Sequence, residues 1–91
     1  MELQSAQLGQ AVERTLSVDT VEQLIALFGK FDENVRIIES ETNVVINARE
    51  REISIIGSEE MAGVAAEVMQ RLLGMIRKNE EIDKGRIRYA I

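Results

Sequence analysis

Two short β-rich runs in the middle of the chain constrain its fold more than any other feature. The runs are VVINA (44–48) and ISII (53–56), and only the polar residues RERE (49–52) separate them. Such a pattern predicts a β-hairpin. A hairpin requires an antiparallel sheet, and a sheet cannot bury its apolar face without a second layer. The rest of the chain must therefore supply helices that cover it.

A third strand and a first helix are predicted upstream of the hairpin. In VERTLSV (12–18), apolar residues occupy most even positions, an alternation typical of a strand, although Arg14 interrupts the apolar row. The segment VEQLIALF (21–28) has apolar residues at helical spacing. Its predicted apolar stripe consists of Val21, Leu24, Ile25 and Phe28. Gly29 should end this helix, because glycine tolerates the left-handed conformation.

A second helix is predicted directly after this glycine. Asp32 stands where an N-cap belongs, before ENVRIIESE (33–41). Its carboxylate can accept hydrogen bonds from the first turn and suits the positive end of the helix dipole. Asn43 is a plausible left-handed stop.

The chain closes with a long predicted helix and a short ambiguous segment. Ser58 should cap the long helix. Gly63 and Gly74 interrupt it at about 1 kcal/mol each relative to alanine, so close packing would explain one of them. The last residues, IDKGRIRYAI (82–91), predict either a short helix capped by Asp83 or the start of a linker.

The predicted order is βααββα, which places the chain in the α+β class. With 91 residues, one domain is expected. The economical arrangement is a three-stranded antiparallel sheet with the helices packed on one face. The pattern leaves open which hairpin strand pairs with the first strand.

The composition excludes several kinds of chemistry. The chain has no histidine and no cysteine, which removes imidazole bases, thiol nucleophiles, disulfides and the usual zinc ligands. No signal peptide is apparent, and no run approaches the roughly 18 apolar residues of a membrane span. The formal net charge is −5, whereas domains that bind nucleic-acid phosphates are mostly basic. A nucleic-acid site would therefore have to be a local basic patch.

The stretch from Phe28 to Ile46 resembles the KH domain, an RNA-binding module in which a helix–GxxG–helix element precedes a strand. The similarity runs through FGK (28–30), ENVR (33–36) and the residues up to Ile46. The predicted element order is that of the type I KH arrangement. The resemblance implies that the loop after the first helix approaches a sugar–phosphate backbone. Asp32 occupies the second glycine position, so the GxxG loop is degraded.

A closer resemblance is to the N-terminal domain of the PhoH family of phosphate-starvation-inducible P-loop ATPases. It is carried by LFGKFDENVRIIESETNVVI (27–46), ISIIGSEE (53–60) and the terminal RIRYAI (86–91). The resemblance implies a cytoplasmic protein with suspected roles in RNA metabolism. It also implies an N-terminal arm over 1–11, a KH-like domain over 12–78, and a segment 79–91 that leads to an absent ATPase domain.

No enzymatic activity is expected of these 91 residues by themselves. They contain no GxxxxGK[ST] run, so they lack a P-loop. No cofactor is expected within them, and the resemblance assigns ATP and magnesium to the absent ATPase domain. A stand-alone enzyme would need carboxylates or lysines in apolar surroundings, and no such pair stands out.

Two functions from different classes remain open. The first is RNA or single-stranded nucleic-acid binding, for which the candidate residues are Gly29, Lys30, Asn34, Arg36, Arg49 and Arg51. The second is a protein-interaction or oligomerisation module that docks on the ATPase domain without touching nucleic acid. The candidate interface residues are Phe31, Arg86, Arg88 and Tyr89. The first hypothesis predicts that Lys30, Arg36, Arg49 and Arg51 cluster along one groove. The second predicts an exposed apolar patch around Phe28, Phe31 and Ile37, with carboxylates dominating the groove.

Overall fold

The computed structural model describes residues 11–91, which form an α+β fold in the predicted order. The strands are β1 (Ala11–Ser17), β2 (Val45–Arg49) and β3 (Glu52–Ser58). The helices are α1 (Val21–Phe28), α2 (Glu33–Thr42), α3 (Glu59–Arg77) and α4 (Lys84–Ala90). The predicted fold class is confirmed. The N-terminal arm predicted over 1–11 lies outside the described residues, except for Ala11, which opens β1.

The sheet has the order β1-β3-β2, and both pairings are antiparallel. This answers the question that the sequence left open, since β1 pairs with the second strand of the hairpin. Ile53 and Ile55 of β3 are fully buried, which suits the central position. The helices cover this face. The opposite face carries mainly polar side chains, among them Glu13, Asn47 and Ser54.

α1 has the predicted bounds, but its buried face matches the predicted stripe only at Leu24 and Phe28, which pack against the core. Leu27 is fully buried, whereas Val21 and Ile25 are exposed, Ile25 by 65%. The prediction that Val21 and Ile25 belong to the buried stripe is therefore wrong. Thr20 caps the helix by accepting a hydrogen bond from the backbone N–H of Gln23 at 3.1 Å.

The two glycines of α3 have different surroundings. A Cβ on Gly63 would lie 3.4 Å from an Arg14 guanidinium nitrogen, an ordinary van der Waals contact with the end of a flexible side chain, so close packing does not require glycine there. Nothing lies within 4 Å of a Cβ built on Gly74. Packing within the described part of the chain therefore gives no reason for a glycine at position 74.

The C-terminal segment folds as a helix and joins the same core. Asp83 caps α4 by accepting a hydrogen bond from the backbone N–H of Arg86 at 2.8 Å, as predicted for the helical alternative. Ile87 is fully buried in the cluster that contains the sheet residues. None of the helices in residues 11–91 is long and apolar enough to span a membrane.

Candidate nucleic-acid interface

The loop between α1 and α2 has positive φ angles, which residues other than glycine rarely adopt. Gly29 has φ 83° and ψ 171°, a region that is essentially restricted to glycine. The next residues, Lys30–Asp32, form a 3₁₀ turn in which Phe31 and Asp32 also have positive φ, 54° and 59°. Three of the four loop residues are thus in left-handed or related conformations. The chain reverses sharply here and turns the side chains of the loop outward.

Asp32 does not act as the predicted N-cap. It precedes α2 in sequence, but its left-handed backbone places no side-chain oxygen on an N–H of the first turn. Its backbone N–H instead donates to the Gly29 carbonyl oxygen at 3.0 Å. The prediction that its carboxylate caps α2 is wrong, because an effective N-cap needs an extended rather than a left-handed backbone. The exposed carboxylate is therefore left at the surface of the loop.

The buried side chain of Asn34 bonds to the end of α1 next to the loop. Its side chain is 7% exposed, and its amide nitrogen donates to the carbonyl oxygens of Ala26 and Leu27 at 3.4 and 3.3 Å. These carbonyls lie at the C-terminal end of α1, where intrahelical donors run out. A Cβ on Gly29 would come within 2.6 Å of the same amide nitrogen. Asn34 was predicted to contact nucleic acid, but burial and these bonds give it a structural role.

Lys30 and Phe31 form the exposed tip of the loop. Phe31 is 83% exposed, and the Lys30 Nζ lies 5.6 Å from the centre of its ring. Val21 and Ile25 present a further exposed apolar strip along α1, which ends at this loop. Sequence reasoning missed this strip as a surface. The signal was present, because the apolar residues of VEQLIALF allow two overlapping helical faces and only one can be buried.

The arginines of the hairpin turn lie elsewhere. Arg51 donates from its guanidinium to the Asp19 carbonyl oxygen at 2.7 Å, next to the N-terminal end of α1. Lys30 follows the opposite end of this eight-residue helix, which is about 12 Å long. Arg49 and Arg51 line an open groove together with Asp19, Glu50 and Glu52. The four basic residues that were predicted to cluster do not form one compact patch.

The remaining charges near the loop are mixed. Arg36 is exposed on the first turns of α2, and within residues 11–91 neither Arg36 nor Lys30 takes part in an ion pair. Glu33 at the start of α2 lies 3.8 Å from Lys84 of α4. Asp32 and Glu33 thus offset much of the positive charge that Lys30 and Arg36 bring. The same residues 11–91 contain no group of three or more His, Cys, Asp or Glu side chains that could hold a metal ion.

The predicted interface residues of the C-terminal segment lie on α4. Tyr89 is 94% exposed at the rim of an apolar groove that Leu72, Met75 and Ala90 help to form. Arg88 is 3.9 Å from Glu41 of α2, and Arg86 donates to the Glu81 carbonyl oxygen at 3.2 Å. The Arg88–Glu41 contact joins α4 to α2, whereas Arg86 bonds within the loop that precedes its own helix. Tyr89 and Phe31 are thus the most exposed aromatic side chains.

Comparison with known proteins identifies a fold but no family. No family model matches the sequence, and no curated protein matches it. A crystal structure of a protein of unknown function from Aeropyrum pernix is similar, with a TM-score of 0.72 at 20% sequence identity. The similarity covers 89% of this chain but only 45% of that protein, so this chain spans less than half of its structural relative.

Proposed function

We propose that this chain is a KH-like domain that binds RNA or other single-stranded nucleic acid at the loop Gly29–Asp32. The observation that carries the proposal is the positive-φ loop, which is fixed on Asn34 and projects Lys30 and Phe31 into solvent. This combination places a cation and an aromatic ring side by side in an exposed loop. It suits a strand that offers both phosphates and unstacked bases.

Each exposed group has a distinct part in such binding. Lys30 neutralises a phosphate, and the ring of Phe31 stacks on a base, which is worth roughly 1–3 kcal/mol per base in other proteins. Val21 and Ile25 provide apolar contact for a neighbouring base along α1. Arg49 and Arg51, about one helix length away, meet the strand at a second point.

The affinity is expected to be modest. Asp32 places a carboxylate in the loop at the position where a phosphate would pass, and the whole chain carries a net charge of −5. Both features oppose the electrostatic attraction that supplies most non-specific binding. Binding should therefore be strong only at low salt.

A titration with labelled single-stranded RNA at about 50 and 200 mM salt tests the proposal, because phosphate-driven binding changes strongly over this range. The variants are Lys30→Glu and Phe31→Ala. Arg71→Glu is the matched control, since it makes the same charge change on α3, where Arg71 is exposed and paired with Glu67. Binding that falls with salt and is lost in both loop variants but kept in Arg71→Glu supports the proposal. Equal losses in Lys30→Glu and Arg71→Glu would mean that only net charge matters.

The wider context of the proposal comes from the sequence resemblance. If the resemblance reflects kinship, the domain is a non-catalytic accessory of a PhoH-type P-loop ATPase in the cytoplasm. ATP and magnesium would bind to the ATPase domain, and the 91 residues would deliver RNA to it. Stimulation of ATP hydrolysis by RNA in the longer protein, and its loss in Lys30→Glu, is the expected result.

A second function is favoured by one observation. Val21 and Ile25 of α1 and Phe31 of the following loop are exposed apolar side chains, and Asp32 and Glu33 come directly after Phe31 in the chain. This composition also suits a protein partner, such as the ATPase domain. The titration separates the two: no RNA binding at high micromolar protein would favour docking. Cross-linking of the domain to the ATPase portion through position 31 would then be the direct test.

A further inference from the structure

The two edges of the sheet differ in how their free backbone groups are used. On β2, the backbone N–H of Ile46 points away from β3 and donates to a Glu39 carboxylate oxygen at 2.8 Å. The other edge is β1, a strand of seven residues. Within residues 11–91, no other strand pairs with this edge.

The direction of each backbone group of β1 follows from the ladder. The N–H of Val18 donates to the Arg51 carbonyl oxygen at 3.0 Å, in register with the pairing of β1 and β3. Orientation alternates along a strand, so the even-numbered residues bond inward to β3. Glu13, Thr15 and Ser17 therefore turn their N–H and C=O groups outward, as a template for another strand.

α3 runs beside this edge and leaves a stripe uncovered. Gln70 and Arg77 line a groove together with Thr15 and Ser17 of β1. Gly74 lies on the same side of the helix as Gly63, because eleven residues are about three turns. A Cβ at Gly74 would meet nothing within 4 Å among residues 11–91, although glycine in a helix costs about 1 kcal/mol. Close packing of a second surface against α3 would explain why a glycine stands at position 74.

We propose that two copies of this chain pair antiparallel through β1, with the two α3 helices crossing between Gln70 and Gly74. The pairing joins the two sheets into one continuous sheet around a two-fold axis, so each copy uses the same surface. This surface lies on β1 and α3, whereas the loop Gly29–Asp32 lies between α1 and α2. The inference is independent of the proposed RNA function.

Charge restricts the register of the strands. Residues that turn their backbone groups outward must face each other, which leaves few symmetric registers. A two-fold axis at Glu13 puts like charges opposite each other, and so does an axis at Arg14. With the axis at Thr15, Thr15 faces its own copy, Glu13 faces Ser17, and Arg14 faces Leu16. This register has no like-charge pair, and threonine pairs are favourable across strands.

The exposed faces of the two α3 helices are also complementary in charge near the two-fold axis. In an antiparallel crossing, Gln70 of one copy faces Gly74 of the other, and Glu67 faces Arg77 on both sides of the axis. Glu67 and Arg77 now form exposed ion pairs with Arg71 and Asp19, which surface screening makes weak and exchangeable. Two opposite-charge contacts therefore accompany the strand pairing.

Sedimentation equilibrium of the 91-residue chain over about 5 to 500 µM tests the proposal, a range that covers weak to moderate association. We expect a reversible dimer. Thr15→Pro should abolish it without breaking the ladder to β3, because the N–H of Thr15 points outward. Ala48→Pro is the matched control, since the N–H of Ala48 also points outward but on the β2 edge, and it should leave the dimer intact. A circular-dichroism melt verifies that both variants fold.

Two further variants keep the test decisive if either proline disturbs folding. Gly74→Gln should weaken the dimer while stabilising the isolated helix. Glu67→Arg and Arg77→Glu should each weaken it about tenfold, and the double variant should restore it, because the swapped charges again face each other. A monomer at every concentration overturns the proposal and leaves the β1 edge to another occupant, such as an extended segment of a different protein. A dimer that survives both Thr15→Pro and Gly74→Gln also overturns it.

Discussion

Replacing Asp32 by glycine should improve RNA binding without destabilising the fold. Asp32 has φ 59° and ψ 25°, makes no capping hydrogen bond, and is exposed. A left-handed backbone costs an ordinary residue roughly 1–2 kcal/mol, and aspartate tolerates it better than most residues. Glycine removes this strain but gives the unfolded chain more freedom, worth about 0.4–1 kcal/mol. The two terms nearly cancel, so the free energy of unfolding should change by less than about 1 kcal/mol.

The effect on binding has a charge term and a steric term, and two variants separate them. Asp32→Asn removes the carboxylate and keeps a side chain of similar size that accepts positive φ. At this exposed site, loss of the repulsion between a carboxylate and a phosphate should be worth about 1 kcal/mol, which is about fivefold in affinity. Asp32→Gly removes the charge and also lets a phosphate approach the backbone closely. We expect the affinity order glycine variant, asparagine variant, wild type.

Fluorescence anisotropy with the same RNA at both salt concentrations measures the affinities, and urea unfolding followed by circular dichroism measures stability. Glu33→Gln provides the comparison: it removes a neighbouring carboxylate that lies outside the loop and is paired with Lys84, so it should raise the affinity less than Asp32→Asn does. Asp32→Gly that binds no better than wild type would refute the idea that the loop contacts phosphates. A loss of stability above about 1 kcal/mol would refute the conformational reasoning.

The remaining predictions concern stability and use the same urea unfolding assay. Gly29→Ala should destabilise by more than about 2 kcal/mol, because alanine is strained at φ 83° and its Cβ would meet the Asn34 amide; Gly74→Ala, with open space around it, should instead stabilise by about 0.5–1 kcal/mol. Asn34→Ala should cost about 1–3 kcal/mol, because the carbonyl oxygens of Ala26 and Leu27 lose their donor; an unchanged midpoint would show that water replaces it fully. Ile87→Ala should cost about 2–5 kcal/mol in a single cooperative transition, since this residue is fully buried; a separate early transition would mean that α4 unfolds independently.

The elements could be predicted from the sequence because each carries its own local signal. Thr20, Ser58 and Asp83 cap the helices with side-chain hydrogen bonds, and such residues are recognisable without any tertiary information. The hairpin can be predicted equally well from its two β-rich runs. The pairing between distant elements cannot be predicted in this way. The pairing of β1 with β3 depends on contacts between residues about forty positions apart, for which a single sequence gives no spacing rule.

The errors at the candidate site have a common physical cause. Val21 and Ile25 compete with Leu27 for the same core, and only the direction in which α1 meets its neighbours decides between the two faces. Asp32 has the composition of an N-cap, but the sharp reversal after Gly29 sets its backbone torsion first. Tertiary constraints thus overrode local preference at both places. The burial of Asn34 follows from the same reversal, which brings it beneath the end of α1.

The hydrogen bond from Ile46 to Glu39 has a consequence for assembly size. An open sheet has two edge strands, and sheets can add to one another without limit when both edges accept a further strand. Here one edge is partly blocked, because a carboxylate of the same chain already occupies an outward donor of β2. If copies pair through β1 as proposed, the occupied donor of β2 disfavours further strand addition at the second edge. A single glutamate on α2 would thereby favour a finite species over a fibril.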